Sequence, residues 1–167
     1  MSADPVLKDW STPIRRGAWG VLIALALFRL GAILHYSVNI PLLDEWDMLR
    51  FLEQNARQVR WTSFFEFHND HRIFFTRLLI YLEYVWTGWN IRHTLVVNYA
   101  FFLAMVAALV VICRPLLKWF PLYPLFFVPF FSDFVWINVA WSFQSQFHFM
   151  ILFALGAVWF GLVCPPT

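Results

Sequence analysis

The chain has 167 residues, of which 61% are hydrophobic, 21% aromatic and 13% charged. An ordinary soluble domain is roughly half apolar and about a quarter charged, so this composition excludes a soluble fold and points to an all-α membrane protein whose large rings meet lipid. A formal charge of +2, spread over scattered Lys and Arg residues, excludes nucleic acid as a partner.

A helix rises about 1.5 Å per residue, and a hydrocarbon core of roughly 30 Å needs about 20 mostly apolar residues. The first such run is 17–37, GAWGVLIALALFRLGAILHYS. It is long, contains Arg29 and lacks a small-x-small cleavage site, so it reads as an uncleaved signal anchor. A polar connector over 38–92 follows. Its opening, PLLDEWDMLRFLEQNARQVRW, predicts a surface helix over 44–57, with Leu49, Leu52, Ala56 and Val59 on one face and Asp47, Arg50, Gln54 and Arg57 on another. Asp44 stands where an N-cap belongs, and Asp47 three residues on resembles a capping box. That account leaves Glu45 unexplained. Three carboxylates within four residues at the mouth of a membrane cavity also suit a general base and a ligand for a metal or a sugar hydroxyl.

The next cluster, EFHNDHRIFFTR, brings together His68, Asn69, Asp70, His71 and Arg72. Two histidines and an aspartate suit a divalent metal, and Arg72 or Arg77 suits a phosphate gripped by paired hydrogen bonds. The plainer alternative is that Asn69 or Asp70 caps a helix while the histidines and arginines sit among lipid headgroups. Residues 70–90 are long enough to span, yet contain Arg72, Arg77 and Glu83. At about 100° per residue, Asn69, Arg72, Thr76, Glu83, Thr87 and Asn90 form one stripe, with Phe74, Leu78, Tyr81, Val85 and Trp89 opposite. Spanning would put Arg77 and Glu83 near hydrocarbon at roughly 2.5–3.5 kcal/mol each. The expectation is therefore a second amphipathic helix lying along the membrane surface.

Three further spans are expected, over 93–113, 120–139 and 147–164, for about four in all. The third is the least regular, with Pro121, Pro124 and Pro129 at its start or inside it. Cys113 and Cys164 each end an apolar run and read as packing residues. If Lys8, Arg15 and Arg16 lie in the cytoplasm, so do Arg114 and Lys118, and both polar connectors, 38–92 and 138–146, face outward. Arg29 and Asp133 are costly within a bilayer unless they face other helices or a wet cavity. Gln144 and Gln146, beside Trp136 and Trp141, suit either the lining of an outer cavity or an interfacial aromatic belt.

This order of parts resembles the amino-terminal portion of the polytopic glycosyltransferases of the GT-C superfamily. The likeness rests on a first span followed by Asp44-Glu45, a surface helix, the run His68-Asn69-Asp70-His71-Arg72 opening a second amphipathic helix, the turn Thr87-Gly88-Trp89-Asn90, a span, a basic turn, and Trp141 to Gln144. The resemblance implies a bacterial inner-membrane protein, amino terminus inside, that uses a polyprenyl-phosphate-linked sugar. It implies Asp44 and the adjacent Glu45 as catalytic acids, with Asp47, Arg72, Arg77 and Gln144 on the substrates. It also implies a divalent metal, Mg or Mn, for which His68, Asp70 and His71 are the candidate ligands. Complete members carry many more spans, so it implies that this chain holds only the start and meets further membrane subunits as well as lipids. The rival expectation is a non-catalytic scaffold or lipid-binding subunit of a larger complex. A transporter fragment is disfavoured, because little besides Arg29 offers a substrate group near the midplane.

Overall fold

The computed structural model describes residues 5–117 and 119–163. Lys118, assigned to the basic turn, and Cys164, assigned to the end of the last span, lie outside the described residues, as do the side chains of Lys8 and His71. The protein is all-α apart from one small hairpin. Helices α1 (Pro5–Tyr36), α2 (Asp47–Asn55), α3 (Trp61–Phe64), α4 (Phe74–Thr87), α5 (Ile91–Leu117), α6 (Trp136–Ala140) and α7 (Ser145–Val163) are joined by 3-10 turns. Strands β1 (Phe67–His68) and β2 (His71–Arg72) pair antiparallel.

Two helices, Ser11–Tyr36 within α1 and α5, are long and apolar enough to cross a membrane. At 26 and 27 residues each reaches about 40 Å, more than a hydrocarbon core requires. Little of their apolar surface is buried in the protein, 17% of the most apolar window in α1 and 33% in α5. A soluble core helix would be covered. The two meet end to end at the connector: the Ile91 amide donates to Asn39 Oδ1 at 2.8 Å, and Arg92 Nε donates to the Ser37 carbonyl at 2.9 Å. Farther along, Tyr99 Oη donates to the Ala26 carbonyl at 2.8 Å. α1 and α5 therefore run in opposite directions.

The expected third span over 120–139 is not one helix. It is a 3-10 run over Tyr123–Phe131, a second short one over Asp133–Val135, and then α6. Pro124 and Pro129 lack the N–H that an α-helix needs and would clash with the carbonyls four residues back. The 3-10 run climbs along α1 from Trp19, whose ring meets Tyr123 at 5.8 Å, to Arg29, whose Nε donates to the Phe131 carbonyl at 2.9 Å. Eight steps at about 2 Å match ten helical residues at about 1.5 Å. Arg29 Nη2 completes the contact with Asp133 Oδ1 at 2.5 Å. The two charges singled out within apolar sequence are each other's partners, with Asp133 reaching outward.

α7 carries an apolar stretch over Ser145–Gly161, shorter than the two long helices. It descends beside α5, with Phe101 against Phe149 at 4.6 Å between ring centroids and Phe102 against His148 at 5.7 Å. The core lies where α1, α5, the 3-10 run and the connector converge, around Tyr99, Phe102, Phe131, Phe143 and Phe64.

Candidate functional site

The connector forms a compact cap over the shared ends of α1 and α5, and its first helix differs from expectation in both extent and facing. In place of one helix over 44–57, a 3-10 turn over Leu43–Trp46 leads into α2. The buried face of α2 is Met48, Phe51, Leu52 and Asn55, one residue (about 100°) away from the expected Leu49, Leu52, Ala56 and Val59. Phe51 wins the inner position because it stacks edge-on against Phe64, 4.9 Å away. Asn55 follows it inward because its amide is satisfied there: Nδ2 donates to the Phe51 carbonyl at 2.7 Å and to Ser63 Oγ at 2.9 Å, and Oδ1 accepts from the Arg60 amide at 2.7 Å.

The 3-10 turn separates the roles of the adjacent acids. Leu43 takes a left-handed backbone, φ 50°, which a non-glycine residue rarely adopts. Glu45 turns inward, 1% exposed, and its Oε2 accepts the Leu42 amide at 2.7 Å. The capping role expected of Asp44 thus belongs to Glu45, three residues after the cap. Asp44 and Asp47 are released toward the outer face. There they meet His68, whose Nε2 lies 3.8 Å from Asp44 Oδ2. One ligand atom from each of the three lies within 4.8 Å of the others.

His68 is delivered by the hairpin, not by a helix. Residues 67–72 pair Phe67 with Arg72 and His68 with His71 around Asn69-Asp70, with Asn69 at φ 51°. His68 is buried against the Phe143 ring at 4.8 Å. Asp70 is exposed at the hairpin tip and stands outside the three-ligand group. His68 thus meets Asp44 and Asp47, a grouping other than the expected His68, Asp70 and His71; Asp70 stands apart from it, and the side chain of His71 lies outside the described residues. An open polar cavity of about 560 Å³ adjoins this group, edged by Asp47, Glu53, Glu66 and His68 and by Arg50 and Arg77.

Helix α4 begins at Phe74 rather than at 70, since the hairpin occupies the residues before it, and ends at Gly88 in the left-handed region, φ 68°. Its inward side mixes the two expected faces, with Ile80 buried and Phe74, Leu78 and Tyr81 half-buried against the core beside polar groups. Thr76, Arg77 and Glu83 are buried, whereas Phe75, Val85 and Trp86 face outward. Thr76 Oγ1 pairs with Ser145 Oγ at 3.1 Å. Arg77 Nη1 donates to the carbonyls of Ser63 at 2.7 Å and Glu66 at 2.6 Å, and Nη2 donates to that of Phe67 at 3.3 Å. Burial draws the guanidinium below its ordinary value, with Glu66 opposing; so basic a group stays charged. Arg77 therefore clamps the backbone that delivers His68.

Arg72 stays exposed, its guanidinium 4.5 Å from the Phe67 ring centroid. Gln144 is buried in a 3-10 turn over Ser142–Gln144 that packs against the Leu43–Trp46 turn, and its Oε1 has no hydrogen-bond partner among the described residues. Sequence reasoning passed over Asn98 and His148. Both are buried: Asn98 Oδ1 lies 2.9 Å from His148 Nδ1, and its Nδ2 donates to the carbonyls of Asn138, Val139 and Trp141. Lone amide and imidazole groups inside apolar runs were the available signal. No family model, curated protein or solved structure matches the chain.

Proposed function

We propose that this is a multi-pass protein of the bacterial inner membrane, amino terminus inside, that transfers a sugar from a polyprenyl-phosphate donor to an acceptor hydroxyl on the outer side. The observation that carries the reading is the convergence of Asp44, Asp47 and His68 beside a polar cavity at the end of two helices with membrane-spanning dimensions. Arg15 and Arg114 line one cavity at the opposite end of those helices, which supports a cytoplasmic placement for both. The segment from the 3-10 run through α6, and α7, then serve as the third and fourth passes.

The trio fits a divalent cation. Ligands about 2.1 Å from one ion stand roughly 3–4 Å apart, as Asp44 and His68 do, and two carboxylates with one imidazole suit Mn better than Mg. Such an ion, when bound, supplies positive charge facing the donor phosphate. In the transfer, a carboxylate oxygen of Asp44 takes the acceptor hydroxyl proton. The acceptor oxygen bonds to the anomeric carbon, and the bond from that carbon to the phosphate oxygen breaks with its electron pair leaving on phosphate. Asp47 orients a sugar hydroxyl, and Arg77 holds the loop that carries His68.

Membranes containing Asp44→Asn should lose transfer from a polyprenyl-phosphate sugar by at least about 100-fold while inserting normally; undiminished transfer sinks the assignment. A second reading, a non-catalytic subunit packed on further membrane subunits, draws on the outward Phe75, Val85 and Trp86 of α4. It predicts normal glycan transfer in that variant together with co-purifying membrane partners.

A further inference from the structure

A second cavity, about 390 Å³, lies on the other side of α4, between its first turns and the first half of α7. Its floor and walls are aromatic and thioether groups: Phe75 stacks with Phe149 at 5.6 Å and with Phe153 at 4.9 Å, and Met150 and Phe147 open to the outside. Of its lining residues only Arg72 carries charge. The contact between Thr76 and Ser145 sets the start of α7 level with the start of α4. The groove thus runs from Arg72 at the polar end to Phe153, eight residues and about 12 Å down α7.

We infer that this groove seats an anionic membrane phospholipid, its phosphate held by Arg72 and one acyl chain lying along Phe75, Phe149, Met150 and Phe153. The inference rests on the membrane placement of α7 proposed above. Three features select this occupant. Arg72 has no acidic partner among the described residues, and its stacking on Phe67 occupies a face of the guanidinium, leaving the edge donors that bind phosphate in pairs. Below Arg72 the groove is almost wholly apolar, so a peptide there would leave backbone amides and carbonyls unpaired, whereas an acyl chain has no such groups. The exposed Phe153 and Met150, 56% and 59% accessible, stand on the side of α7 turned away from the core, where hydrocarbon reaches them.

The protein purified in detergent is tested by native mass spectrometry with added phosphatidylglycerol, with diacylglycerol of the same chains, with inorganic phosphate and with polyprenyl phosphate. The wild type should retain phosphatidylglycerol about tenfold better than diacylglycerol. Arg72→Gln should abolish that preference, and Phe153→Ser should weaken retention of both lipids. Both positions are exposed, so folding is checked simply by an unchanged melting temperature. Equal retention of phosphatidylglycerol by wild type and Arg72→Gln overturns the inference. So does displacement by inorganic phosphate alone, or a stronger retention of polyprenyl phosphate. Release of the protein from membranes by alkaline carbonate would instead overturn the membrane placement, and is scored separately.

Discussion

Helices α2 and α4 belong to the same connector and both have apolar and polar residues, yet α2 turns mainly apolar groups inward and α4 turns buried charges inward and large rings outward. α2 buries Met48, Phe51 and Leu52 and exposes Arg50, Glu53 and Gln54. α4 buries Thr76, Arg77 and Glu83 beside Ile80 and exposes Phe75, Val85 and Trp86. An amphipathic helix only separates two kinds of surface; the solvent on its outer side selects which one turns in. With water outside, α4 would leave apolar rings wet and charges dry. With hydrocarbon outside, the same arrangement places the rings well and requires only that each inward polar group be paired. Arg77 pairs both Nη atoms with three backbone carbonyls, its Nε alone lacking a partner among the described residues, and Thr76 pairs with Ser145.

The contrast can be broken most severely on α2. Phe51→Ala should destabilise the detergent-solubilised protein by about 3–5 kcal/mol, the usual cost of emptying a buried aromatic site; a melting temperature within a degree of wild type would show that the inner face of α2 has been misidentified. Next comes the inward charge of α4. Arg77→Met leaves three carbonyls without a donor and should cost about 3 kcal/mol, whereas Arg50→Met on the outer face of α2 should stay within about 0.5 kcal/mol. Equal effects at positions 50 and 77 would remove the distinction.

Manganese at about 100 times its dissociation constant should stabilise the wild type by about 2.7 kcal/mol. That gain should vanish in Asp47→Asn, and its persistence would separate Asp47 from the cation. Smallest of all, Trp86→Leu should leave stability within about 0.5 kcal/mol in detergent. Trp86→Asp, by contrast, should lower membrane insertion measurably, because the proposed membrane placement turns this exposed position to lipid.

Parts of this architecture were legible because they depend on local quantities. The existence of α1 and α5 follows from long apolar runs, and the cost of Arg29 and Asp133 in apolar sequence announced that each needed a partner. The break in the expected third span was signalled by Pro124 and Pro129, though not its form as a 3-10 run along α1. The candidate site was legible in its members more than in its grouping. Asp44, Asp47 and His68 were all marked, but not as one group; the hairpin brings His68 to the two acids and leaves Asp70 exposed at its tip. Glu45 next to Asp44 looked like its twin, and a single strained residue, Leu43, directs one outward and the other onto the backbone.

Composition and apolar run length determined by themselves that the protein is helical and rich in long apolar segments, since hydrophobic transfer sums over residues wherever they later lie; of the four spans expected, the structure gives two as helices long and apolar enough to cross a membrane. Only the tertiary structure decided the facing of α4 and the company of His68. Both depend on which distant groups offer partners: carbonyls at 63, 66 and 67 for Arg77, and carboxylates some twenty residues earlier for the histidine. No periodicity in the chain encodes such a meeting.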